Sequence, residues 1–169
     1  PLQQYLVKFP DGRLQALSVC WDTENKKWFH LHPEEKIDHT DPLHWTASQY
    51  NWNFMCAECH STGVKKNYDS ESDTYDTTFD EVNVSCESCH GPGSRHLDYL
   101  GGEALPNHGF LSELKGRGPW QPQTEDGPPR PAHPNLKTDQ LDTCARCHSR
   151  RALLSEDYKH GEPLGQTHS

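Results

Sequence analysis

The chain has 169 residues, about one domain's worth, with 31% apolar residues, 13 prolines, 12 glycines and a net charge of −9. That acidic balance argues against a nucleic-acid binder, which would carry a basic face, and no stretch approaches the ~18 apolar residues of a membrane span. A mean hydropathy of −0.99 would suit a disordered chain, but five Trp, six Tyr, five Phe, seven Cys and 12 His would not.

The chain opens on Pro1 inside a strand-like stretch, with no initiator Met or signal peptide, and so reads as an internal piece of a longer protein. Residues 4–32 alternate as antiparallel strands. A turn at Pro10-Asp11-Gly12-Arg13 separates 5–8 from 14–21, and a second at 22–26 leads into 28–32. Cys20 on this sheet reads as a buried small hydrophobe. Residues 41–60 predict a helix with Asp41 as N-cap and Pro42 at its first position. Another hairpin is expected between 64–68 and 74–82. Its acidic loop, with Asp69, Glu71 and Asp73, lacks the glycine and ligand ladder of a calcium loop and reads as a solvated turn. A short helix is expected over 86–100. Residues 101–135, of which 13 are Gly or Pro, read as a loop anchored by Phe110 and Trp120. A last helix starts near Thr138 or Asp139 and runs through Leu154.

Six of the seven cysteines fall into three pairs of one spacing: Cys56-Ala57-Glu58-Cys59-His60, Cys86-Glu87-Ser88-Cys89-His90 and Cys144-Ala145-Arg146-Cys147-His148. Each is C-x-x-C-H, the attachment signature of c-type haem. Two thiols three positions apart on one helical face can add to the two vinyl groups of a single haem, and the adjacent imidazole then meets the iron. With His at 12 of 169 positions, composition alone would place His after all three pairs roughly four times in ten thousand. Zinc knuckles and a disulfide framework both predict the pairs, but neither predicts the histidines. The expectation is three covalent haem c groups, with Cys56, Cys59, Cys86, Cys89, Cys144 and Cys147 as thioethers and His60, His90 and His148 as proximal ligands.

The only Met, Met55, directly precedes Cys56 and is tied to the proximal side of that haem, so bis-histidine ligation at low potential is the default for the irons. Nine histidines remain for the distal positions. His44 follows a proline-fixed turn and precedes Trp45, which could pack on a porphyrin. His96 lies six residues beyond His90, a tether so short that it suits a neighbouring haem better than its own. His30 and His32 share one strand face. His108, His133, His160 and His168, in loops or the tail, read as bland individually.

Several stretches resemble bacterial multihaem c-type cytochromes related to the nitrifier tetrahaem cytochrome c, whose longer members often carry tetratricopeptide repeats. They are Tyr5-Leu6-Val7, Gly12-Arg13-Leu14-Gln15-Ala16-Leu17, Trp28-Phe29-His30, Asp41-Pro42-Leu43-His44-Trp45 and 51–62, together with 86–94 and 144–151. The resemblance implies an exported electron-transfer protein with bis-histidine haems, and favours His30, His44 and His96 as distal ligands. Longer members carry further haem motifs upstream of Tyr5 and downstream of Ser169. Either this chain is a fragment, then, or another chain completes its terminal haems.

The expected fold is α+β with little regular secondary structure: N-terminal antiparallel strands, then short helices packed around three covalent haems. It is read as one domain over 1–169, comprising a strand-rich part (1–40), the first two haem motifs (41–100), the Gly/Pro-rich loop (101–135), and the third motif with its tail (136–169). The expected function is electron transfer. Because haem c is attached across the membrane, the expected location is periplasmic or extracellular. Expected partners are redox proteins or neighbouring haem subunits, with a homo-oligomer or larger assembly also open. Two alternatives stand beside it: a multihaem redox enzyme acting on a small nitrogen or sulfur species at an open haem, and a repeating unit of a haem-stacked extracellular assembly.

Overall fold

The computed structural model describes all residues except 117, 123, 125, 126 and 134–138. The fold is mixed α/β, with short helices and small antiparallel sheets. The chain divides into two compact units, Pro1–Asn83 and Val84–Ser169, so the boundary falls between the first and second C-x-x-C-H segments.

In the first unit, β1 (Leu2–Lys8), β2 (Leu14–Asp22) and β3 (Lys27–His30) form an antiparallel sheet in sequence order. The β1–β2 turn needs Gly12, whose φ is +83° and whose Cβ, if present, would run into the Tyr75 carbonyl. Asp11 ties the turn down, accepting the Arg13 N–H at 3.0 Å and Arg13 Nε at 2.7 Å. Cys20 is fully buried, as the sequence indicates, and burial pushes its thiol up.

Residues 41–60 do not form the single helix expected. Successive i→i−3 bonds run from Asp41 to Asn51, and two four-residue helices follow, α1 (Trp52–Met55) and α2 (Ala57–His60). The cause is local competition from polar side chains for backbone groups. Asp41 Oδ1 takes the Leu43 N–H at 2.8 Å, His44 Nδ1 meets the Thr46 hydroxyl at 2.8 Å, and Asn51 Oδ1 caps α1 through the Phe54 N–H. The hairpin expected next is thinner than the sequence suggests. Only β4 (Tyr68–Asp69) and β5 (Thr74–Tyr75) are strands, but the bridges Lys65↔Thr78 and Thr62↔Glu81 continue their register. The acidic loop between them is an exposed turn in which Asp69 accepts the Glu71 N–H at 2.8 Å.

In the second unit the helix expected over 86–100 is broken into α3 (Cys86–His90) and α4 (Ser94–Leu100). Gly91, at φ +80°, ends α3, Pro92 follows, and Glu87 Oε1 holds the Gly93 N–H at 2.6 Å. The 101–135 segment contains a 3₁₀ turn and the short ladder β6 (Trp120–Pro122) with β7 (Pro129–Pro131). Phe110 is half-buried, whereas Trp120, in β6, is 67% exposed. The last helix, α5, spans Gln140–His148 rather than reaching Leu154; Thr138, one expected start, lies outside the described residues. Ser149 turns extended and bonds back to the Ala145 carbonyl at 2.7 Å, while Arg151 Nε donates to the Arg146 carbonyl. Residues 152–154 then pair with 167–169. No described helix is long and apolar enough to cross a membrane.

Candidate haem-attachment sites

Each C-x-x-C-H segment lies on a helical turn that ends at its histidine: α2 at His60, α3 at His90, α5 at His148. The surroundings differ. Cys56 and Cys59 are half-buried, and burial, with Cys59 beside it, pushes the Cys56 thiol up. Cys86, Cys89, Cys144 and Cys147 are exposed.

The first turn is held by polar side chains of its own unit. Asn53, only 1% exposed, accepts the Leu14 N–H at 2.7 Å and donates to the Gly12 carbonyl at 3.3 Å and the Thr77 hydroxyl at 2.8 Å. Gln15, fully buried, donates to the carbonyls of Trp45 and Ala47 at 2.8 and 3.1 Å. Past His60, the Thr62 N–H bonds the Glu81 carbonyl at 2.9 Å and its hydroxyl bonds that of Asn83 at 2.8 Å. Phe54 and Met55, directly before Cys56, are left exposed.

On α5, Leu141, Cys144, Cys147 and His148 follow the i, i+3, i+6, i+7 pattern and share one exposed face. The opposite side carries buried Thr143 and half-buried Arg146. Arg146 Nη1 donates to the Ser88 carbonyl of the second segment at 3.4 Å, and its guanidinium lies 4.3 Å from the Tyr158 ring centre. A large flat apolar ring fits this setting. Both thiols, the imidazole and an uncovered leucine share one face, and the second segment is preceded by exposed Val82 and Val84. Among the described residues the buried apolar core consists only of Ala16, Cys20, Tyr50, Trp52 and Ala57. Covering the exposed apolar side chains around the motifs would therefore add to a small core. Among the described residues no three His, Cys, Asp or Glu side chains converge as a cation cage, and the cysteines form no disulfide.

The three distal candidates differ in ring orientation. His96 Nδ1 lies 2.8 Å from the backbone carbonyl of His108. A carbonyl can only accept, so Nδ1 carries the proton and Nε2 keeps its lone pair, the arrangement metal-bound imidazoles use. The His96 ring stacks on Phe110 at 4.2 Å, and His90 packs on that same ring at 5.0 Å. His30 is the reverse case: its Nδ1 accepts the His32 N–H at 3.0 Å while Nε2 faces the Ser18 hydroxyl at 3.0 Å. His44 Nδ1 likewise accepts the Thr46 N–H. His30 and His44 come together at one cavity of about 180 Å³, with Glu35, Ile37 and Trp45 also on its wall.

No local signal in the sequence marks His160's position. Its side chain packs against Gly91, where an added Cβ would come within 3.1 Å, and its Nδ1 is shut off from solvent with no hydrogen-bond partner among the described residues. Burial, and then the Arg146 charge, pull this imidazole below its ordinary value.

Residues 18–91 match the family model described as "Cytochrome c554 and c-prime". The match takes in the first two C-x-x-C-H segments and ends before the third, and it supports a relation to multihaem c-type cytochromes. Two solved structures are similar over most of this chain. The outer cell wall cytochrome OcwA is 18% identical, with a TM-score of 0.47 over 99% of this chain and 30% of its own. The undecahaem cytochrome from the S-layer of Carboxydothermus ferrireducens is 20% identical, with a TM-score of 0.39 over 93% of this chain and 18% of its own. This chain thus spans under a third of the length of either. No curated protein matches it.

Proposed function

We propose that the chain carries three covalent c-type haems and passes single electrons among them and on to redox partners outside the cytoplasm. The observation that carries this reading is the three C-x-x-C-H helical turns, each with its thiols accessible or half-accessible and apolar side chains uncovered beside them. The family match over 18–91 supports it. On this reading Cys56 and Cys59, Cys86 and Cys89, and Cys144 and Cys147 form the thioethers, and His60, His90 and His148 are the proximal ligands. The haem supplies the redox couple, and the chain supplies ligation, burial and the surrounding charge that set its potential. The kinship with the nitrifier tetrahaem cytochrome, and with longer members bearing tetratricopeptide repeats, belongs to the same proposal. So does the periplasmic or extracellular location, which follows from where haem c is attached.

Among the distal candidates His96 is the one already turned for the task. His30 and His44 would have to give up the N–H bonds they accept and rotate. The short tether from His90 and the shared Phe110 packing keep His96 beside the proximal ligand of the second haem, which suits service to a different iron.

The test is maturation in a host competent for haem c attachment. Denatured protein should keep three haems per chain, and the oxidised protein should give only low-spin EPR signals. Protein that loses all haem on denaturation sinks the reading, and a high-spin iron in the intact protein would favour the enzyme alternative. In His96→Ala, one iron should become high-spin, while His30→Ala should leave that iron unchanged.

A further inference from the structure

Arg146 occupies the second variable position of the third segment, between Cys144 and Cys147, yet it bonds to the second segment. Its Nη1 donates to the carbonyl of Ser88, which fills the same variable position between Cys86 and Cys89. The guanidinium is held in place by the Tyr158 ring on one face, and the backbone behind it is capped by Arg151 Nε. A permanent cation, half-buried, therefore sits directly behind two C-x-x-C-H turns at once, with Arg151 bonded to its backbone. Side chains at these positions are ordinarily free to be anything, and here one of them spans both turns.

We propose that Arg146 is a shared potential-setting residue for the second and third haems, an inference that rests on the functional reading above. A haem iron loses one unit of positive charge when it takes an electron. A fixed cation nearby disfavours the oxidised form, so it raises the reduction potential of both haems together. The partly buried setting weakens screening by salt relative to a surface charge.

The experiment is a spectroelectrochemical titration of the full haem-loaded chain, preceded by a haem count. In Arg146→Gln and in Arg146→Met, which keeps the packing of the stem, two of the three midpoints should fall. The expected size is a tenfold change in the oxidised-to-reduced ratio at fixed potential, about 59 mV for a one-electron couple. Arg146→Lys, which retains the charge, should recover most of that shift. The proposal is overturned if fewer than two midpoints move, or if the lysine variant falls as far as the neutral ones. It is also overturned if both neutral variants lose haem, which would make the role structural. A wild-type chain without covalent haem would show at the counting step, and that is a failure of the functional reading rather than of this one.

Discussion

In residues 1–83 the first C-x-x-C-H turn is gripped on both sides by hydrogen bonds from the unit's own sheet and hairpin, through Asn53 before it and Thr62 after it. Among the described residues of 84–169 the only sheet is the two-stranded β6–β7 ladder. The second and third turns have exposed thiols, and they are linked to each other by Arg146 and backed by tail residues Tyr158 and His160. The first unit thus spends buried amides on a scaffold that stands on its own bonds. Both units leave apolar side chains beside their motifs uncovered, Phe54 and Met55 in the first and Val84 and Leu141 in the second, but on the proposed function the second leans more on the haems it would carry. Neighbouring motifs of one type can be supported in two quite different ways.

On the proposed function, the largest effect that would break this contrast comes from weakening the attachment of one haem. Cys147→Ala should lose a thioether and leave the second unit sensitive to limited proteolysis, whereas Cys59→Ala should leave 1–83 resistant. Equal protection of both units in both variants would erase the distinction. A smaller effect probes the scaffold itself. Asn53→Ala removes the acceptor of the half-buried Leu14 N–H and should cost about 1–3 kcal/mol in chemical denaturation of the haem-loaded chain, with the loss confined to the first unit. Gly12→Ala meets both the left-handed backbone and the Tyr75 carbonyl, and should cost about 1–2 kcal/mol. The smallest effect sharpens the pH side. Burial pushes the Asp11 carboxyl up, but its bonds from Arg13 more than offset this and hold it below its ordinary value. Its contribution is therefore present above the unfolded-state value and is lost as pH falls through the folded one. Asp11→Asn should lower Tm slightly at neutral pH, and the difference should vanish in acid.

The same contrast explains what was legible in the sequence. The sheet and its Asp-Gly turn were plain, because period-2 alternation and a glycine turn are local signals. The three motifs were equally plain. The break after His90 was also local, written in Gly91-Pro92-Gly93, and the expectation of a helix through to Leu100 passed over it. Residues 41–51 misled because Asp41, Thr46 and Asn51 draw the backbone into turns that a helical reading does not anticipate. The truncation of α5 has the same root in Ser149. The Arg146–Ser88 bond and the placement of His160 beside Gly91 had no local signal at all: 58 and 69 residues of chain separate the partners. The orientation of His96 was likewise invisible, since the carbonyl that fixes its proton belongs to His108, a residue with no marker of its own.

Phe110 has one further consequence. The His90 and His96 imidazoles lie against a single benzene ring, at 5.0 and 4.2 Å, so moving that ring alters the packing of both. A change of shape at Phe110 alone would reach the packing of both imidazoles, and on the proposed function selection on either one would act on this one aromatic.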